Sequence, residues 1–252
     1  MPLLRTRFLF FNDYGVINID TYFVNPLKKT MKHKYYIDTE KFTLNKFKNS
    51  LQERRMIPSR VILKEDLDAR FEILNSSGID NLKALIDALK TKDKIEAFSS
   101  KSGLSIEYLT ILKREASSYL PNPVNLNKFP GIDSKAIEAL EKIGIKNTKQ
   151  FYNKVNIGQD VNLISEKANV PMNVICELAS LSDLARLYGV GPVFARIIYD
   201  VGIKSVESFI SYSAKEFVEF YENSTKKKAD FSESDINFSL DLARELIDNT
   251  KE

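Results

Sequence analysis

Two glycines flank one apolar residue at Gly189-Val190-Gly191, and a proline follows. The full stretch, Leu187 to Ile198, has the form apolar-x-Gly-apolar-Gly-Pro-x-x-Ala-x-x-apolar. Glycines at this spacing permit a tight turn that few other residues allow. Pro192 falls where a first helical turn begins, and its missing N–H costs nothing there. Ala195 is small enough for two helices to approach closely. The pattern therefore predicts a short hairpin feeding a helix N-terminus. Free N–H groups and a partial positive charge at such an end suit a phosphate. Arg186 and Arg196 flank the hairpin and are expected to be exposed and to add charge.

A second copy lies upstream, from Phe129 to Leu140. Gly131 keeps its place, but Asp133 stands where the second glycine belongs. Aspartate tolerates a left-handed backbone better than most residues, so the turn can still form. Its carboxylate would repel a phosphate, while Lys128 and Lys135 would attract one. The candidate nucleic-acid-binding set is thus Gly189, Val190, Gly191, Arg186, Arg196, Gly131, Lys128 and Lys135.

The rest of the composition narrows the chemistry. The chain has 252 residues, 43% of them hydrophobic, which is a globular balance. A single cysteine excludes an internal disulfide and a cysteine-based zinc site. A single histidine, His33, excludes a triad or metal cluster built on several histidines. There is no phosphate-binding P-loop and no paired acidic motif. No enzyme activity, cofactor or metal is expected. The apolar start is too brief for a signal peptide, and no run approaches membrane-spanning length, so the expected location is the cytoplasm.

The net charge of +3 hides an asymmetry. Residues 1–60 carry 12 basic and 5 acidic side chains, whereas residues 61–252 carry 25 basic and 29 acidic. The part with the hairpins is slightly acidic. That argues against strong phosphate neutralisation, the main source of sequence-independent affinity.

The chain also repeats itself. Residues 68–115, moved forward by 66 positions, fall on 134–181 without a gap, placing Gly78-Ile79 on Gly144-Ile145. A third, diverged copy follows at an offset of 58, placing Gly144-Ile145-Lys146 on Gly202-Ile203-Lys204. Each copy reads as helices. Leu67, Phe71 and Leu74 recur at helical spacing and stop at Gly78, a C-cap residue. Leu82, Leu85, Ile86 and Leu89 make the next stripe, and Lys94–Ser99 a short helix. Ser105 caps a helix bearing Ile106, Leu109 and Leu112. In the second copy Pro171 replaces that serine. A last helix is expected from about Ser234 to Ile247. Pro121-Asn122-Pro123 breaks the chain between copies. The expected divisions are 1–56, a basic N-terminal arm and helix; 57–124, a first helical unit; and 125–184 and 185–252, a second and third unit.

The first thirty residues lack this grammar. Phe8 to Phe11, Val16, Ile17, Ile19, Tyr22 and Phe23 are aromatic and β-branched, as in an extended hairpin. Met31 looks like a natural start, so translation beginning at Met31 and a true N-terminal arm beginning at Met1 stand as equal readings. A loose arm would make few contacts with the repeats.

The Gly189-Val190-Gly191 hairpin resembles the helix-hairpin-helix motif, a sequence-independent DNA-binding element. From Ile57 onward the repeated Gly-Ile elbows, the Ser102-Gly103-Leu104 and Ala168-Asn169-Val170 elbows and that hairpin resemble a bacterial family of tandem helix-hairpin-helix proteins of unknown function. The resemblance implies an all-α fold of stacked hairpin units and, by analogy, nucleic-acid binding. DNA-binding members often carry lysine or arginine just after the glycine-proline pair, where this chain has Val193 and Phe194.

Two functions follow. The first is weak, sequence-independent, non-enzymatic DNA binding through phosphate contacts, with a salt slope on the order of −2 to −4 from two to four contacts. The second is an interaction or scaffold module that uses the same fold to bind another protein. The remaining candidates read as structural. Cys176 lies on an apolar stripe and is expected to be buried. Lys226-Lys227-Lys228 reads as a solvated loop, and Asp200 as a surface residue of the repeat. Tyr35-Tyr36, beside Lys32 and Lys34, reads as a small satellite core before it reads as a single-strand contact.

Overall fold

A computed structural model describes residues 9–12, 15–18, 34–156 and 161–250. The start site, His33 and the contacts of residues 1–30 with the repeats lie outside the described residues, apart from one ribbon. There, β1 (Leu9–Asn12) pairs antiparallel with β2 (Gly15–Asn18), in the register Leu9↔Asn18 to Asn12↔Gly15. This is the extended hairpin that the β-branched pattern predicts.

The rest of the described residues are helical or connecting. Helix α1 is Leu44–Glu53, and a 3-10 segment follows at Pro58–Lys64. Then come α2 (Leu67–Ser76), α3 (Leu82–Ala88), α4 (Lys92–Ser102) and α5 (Ile106–Ser117). A second set holds α6 (Ser134–Lys142), α7 (Thr148–Asn156), α8 (Val161–Ala168) and α9 (Met172–Leu184). The chain ends with α10 (Pro192–Asp200), α11 (Val206–Phe209), α12 (Ala214–Thr225) and α13 (Glu233–Thr250). The fold is all-α.

The sequence repeat is a repeat of hydrogen bonds. The helix before each elbow ends in the same way. Ile79 N donates to Leu74 O, Ile145 N to Leu140 O and Ile203 N to Ile198 O, at 3.2, 2.9 and 3.2 Å. The glycine before each isoleucine has φ of +81, +80 and +102°. That conformation is the reason for glycine there, because it lets the chain reverse and satisfy the helix's last carbonyls. A polar N-cap then starts the next helix: Asn81 accepts from Ala84 N, Asn147 from Gln150 N and Ser205 from Ser208 N. The second elbow repeats as well. Ser99 Oγ donates to Leu104 O and Ser165 Oγ to Val170 O, with Gly103 and Asn169 left-handed between them.

Each elbow is tied to a preceding segment. Leu82 N donates to Phe42 O in the first set, and Thr148 N to Val124 O in the second. In the third, a side chain replaces the carbonyl: Val206 N donates to Asp183 Oδ2 over 2.8 Å. This backbone role is why an aspartate is buried there.

Among the described residues, the buried apolar side chains from Tyr35 to Ile247 form one core. Tyr35 packs edge-on against Tyr152, and its hydroxyl lies 2.7 Å from Thr148 Oγ1. Helix α13 reaches back to α1 and to Tyr119: Glu245 accepts from Ser50 and Tyr119 and pairs with Arg54. Beneath it the buried Glu115 receives both Arg54 and Arg60. A buried carboxylate needs such partners to remain charged.

Candidate nucleic-acid interface

The Gly189–Gly191 turn forms as the spacing predicts, with its strain on the first glycine. Gly189 has φ +86°, and a Cβ there would lie 3.5 Å from Ser239 Oγ. Gly191 has φ −72° and ψ 177°, ordinary extended backbone. Glycine is therefore not needed at 191 for a left-handed backbone. It serves as the N-cap of α10, with Pro192 in the first turn and no side chain capping the helix. Gly189 and Gly191 are exposed, while Val190 turns into the core. Ala195 is fully buried, as its small size predicts.

The two arginines do not stand where the sequence reading puts them. Arg186 is buried, not exposed. Its Nε donates to Asp183 Oδ1 at 2.7 Å, its Nη1 to Lys34 O at 3.0 Å, and its guanidinium lies 4.9 Å from the centroid of the Tyr152 ring. It cannot meet a phosphate without unpacking the core. The physical reason is Asp183. A carboxylate buried to cap the third elbow needs a counter-charge, and Arg186, three residues on, supplies it.

Arg196 is half-buried and engaged. Nη1 reaches Glu177 Oε1 at 2.5 Å and Asp200 Oδ1 at 3.3 Å. Burial works to lower its pKa, but the two carboxylates outweigh it and hold the pKa above the ordinary arginine value. Its Nε donates to Pro130 O over 2.9 Å, and the guanidinium lies 3.8 Å from where a Cβ on Gly131 would be. Arg196 thus clasps the Pro130–Gly131 backbone and joins the two turns. The clasp was not legible in the sequence; the nearest sign was Asp200 four residues on, a spacing that puts it on the same helical face.

At the second turn Gly131 is left-handed, with φ +80°. Asp133 is not: its φ is −62°, and its carboxylate caps α6 by accepting from Lys135 N at 3.0 Å. That N-terminus already holds an anion. Lys128 and Lys135 are both exposed beside it. The elbow lysine, Lys204, sits 3.2 Å over the Tyr199 ring and donates to Tyr199 O at 2.6 Å. Burial lowers its pKa.

The other candidates are structural, and Tyr35 belongs to the main core, not to a satellite one. Cys176 is buried, and burial raises its thiol pKa to about 11. Tyr35 is in the core, and the Tyr36 hydroxyl donates to Pro121 O at 2.6 Å. Residues 226–228 are exposed, with Lys226 ending α12 in a left-handed conformation. Asp200 is exposed. Among the described residues no helix is long and apolar enough to cross a membrane, and no group of three His, Cys, Asp or Glu could hold a metal.

The geometry therefore concentrates both turns and their clasp in the C-terminal half. Residues 130–252 match the family model described as Domain of unknown function (DUF4332). The DUF4332 match takes in both turns, Arg196, Glu177 and α13; Lys128 lies just outside it. No curated protein and no solved structure matches the chain.

Proposed function

We propose that the Gly189–Gly191 turn and the N-terminus of α10 bind nucleic-acid phosphates weakly and without sequence preference, with the Gly131 turn beside them. On this reading the repeats are helix-hairpin-helix units of the bacterial family named above, and the protein is a non-enzymatic, cytoplasmic DNA binder. The carrying observation is the uncapped helix start behind two exposed glycines, whose N–H groups can approach an anion closely. Lys128 and Lys135 supply the accessible charge in place of Arg186 and Arg196. Nothing in the turns offers side chains to read base edges, so affinity rests on phosphates alone.

A second reading, a protein-binding scaffold, is favoured by one observation: both flanking arginines are committed to internal carboxylates. Fluorescence anisotropy with duplex and single-stranded DNA at two salt concentrations separates the two. Binding that weakens with salt and is lost in Lys128→Glu with Lys135→Glu supports the first. Absence of binding at low salt leaves the second.

A further inference from the structure

A cleft of about 380 Å³ opens where the segment before α1 and the start of α1 meet the end of α13. It is lined by Lys34, Lys41, Phe42 and Lys46 on one wall and by the last turn of α13, from Asp248 to Thr250, on the other, with Asp38 at its edge. We infer that this cleft is a phosphate-binding site for a polyanion. The inference goes beyond the turn reading and does not depend on it.

Each lysine springs from a pinned backbone. Lys34 O receives Arg186 Nη1, Lys41 N donates to Asp38 Oδ1 at 3.3 Å, and Lys46 N donates to Thr43 Oγ1 at 3.2 Å. The cleft is therefore built before any ligand arrives. All three lysine side chains are exposed. Lys34 Nζ has no ion-pair partner among the described residues, and Lys41 has only Asp38, at 4.0 Å with its own side chain 82% exposed. Lys46 Nζ donates to Asn249 Oδ1 at 3.1 Å and keeps two further protons. The same wall carries the start of α1, whose dipole adds positive potential.

Two aspartates oppose this charge. Asp38 Oδ1 is occupied by the N–H groups of Glu40 and Lys41, so this carboxylate shapes the turn as well as lowering the potential. Asp248 lies on the α13 wall. Three lysines against two aspartates leave a modest excess, suited to one phosphate of a longer anion and too small for tight capture of an isolated one. The sequence supports a polyanion for a second reason: the stretch leading into Lys34 carries Arg5, Arg7, Lys28, Lys29 and Lys32 against Asp13 and Asp20. The basic excess of the chain lies in this N-terminal part, not at the turns.

The phosphate could belong to a nucleic-acid backbone or to a free oligophosphate, and the test distinguishes them. The full chain, its Lys34→Glu, Lys41→Glu variant and its Lys128→Glu, Lys135→Glu variant are titrated with a labelled oligonucleotide, and separately with pyrophosphate, followed by amide NMR shifts. Expected results are pyrophosphate shifts at residues 34–46 in the parent, their loss in the cleft variant, and an oligonucleotide affinity at least about tenfold weaker in that variant. The salt slope should fall by about 2 for two lost contacts. Pyrophosphate binding without oligonucleotide binding keeps the site and assigns it to a free oligophosphate. If pyrophosphate shifts nothing at residues 34–46, the cleft is not the site; if oligonucleotide binding is lost only in the turn variant, the cleft is not a nucleic-acid site and the turn reading stands.

Discussion

Arg186 Nε donates to Asp183 Oδ1 across 2.7 Å, and neither side chain is more than 1% exposed. The pair joins three parts of the chain. Asp183 holds Val206 N at the third elbow, and Arg186 holds Lys34 O in the segment before α1. Removing either partner strands a buried charge, which costs about 3–5 kcal/mol. Asp183→Ala should therefore lower the free energy of unfolding by about that amount in urea denaturation. A loss under about 1 kcal/mol would show that the pair is not structural. Arg186→Glu would set two carboxylates together in the core, so charge reversal at Arg186 reports folding and cannot test DNA binding.

Gly191 offers a cleaner test. Its φ and ψ already suit an N-cap aspartate, and a Cβ there meets nothing within 4 Å. Asp133 shows the outcome at the sister turn, where the carboxylate caps α6. Gly191→Asp should leave stability within a few tenths of a kcal/mol of the parent, or raise it. The same carboxylate would occupy the N–H groups offered to a phosphate. DNA affinity should fall by roughly tenfold or more with the thermal midpoint no lower than the parent's. Unaltered affinity in a folded Gly191→Asp variant would remove the α10 N-terminus from the interface.

How far the sequence carried this reading depends on which interactions are local. The elbows were legible because a glycine, an isoleucine and a polar cap recur at fixed spacing and form bonds within about ten residues. The turn at Gly189 was legible for the same reason. Arg186 and Arg196 were misplaced because their partners come from tertiary packing. Lys34 O and Pro130 O are carbonyls 152 and 66 residues away, and backbone acceptors leave no mark in a side-chain pattern. Asp183 carries no sign in the sequence that it is buried, although its neighbours from Leu181 to Leu187 all are. The return of α13 to Ser50 and Tyr119 was invisible too, since a lone Glu245 carries no partner signal in one sequence.

The elbow glycines give a prediction free of packing effects. Gly78 and Gly144 hold φ near +80°, and a Cβ at either would meet nothing within 4 Å. Only the backbone resists substitution, so Gly78→Ala and Gly144→Ala should each cost about 1–2 kcal/mol. Gly191→Ala, at φ −72°, should cost clearly less. Chemical denaturation of the three variants checks the ranking. Equal losses at all three would mean that the left-handed elbows are not what glycine is there for.

The Cys176 thiol gives the pH dependence. Burial raises its pKa from 9.0 to about 11, because the thiolate is disfavoured among apolar neighbours. The sign follows from linkage. The folded protein holds this proton more tightly than the unfolded chain does, so the contribution to stability is complete below the unfolded pKa. It is lost as pH rises from about 9 through about 11. Cys176→Ala, small and apolar at a buried site, lacks that titration. Urea denaturation between pH 8 and 11 should show the parent losing stability faster than Cys176→Ala over this window. Alkylation of the native thiol should be slow at pH 8 and accelerate only above about pH 10, whereas urea-unfolded protein reacts readily at pH 8. Rapid native alkylation at pH 8 would place Cys176 at an exposed position and contradict its burial between α9 and its neighbours.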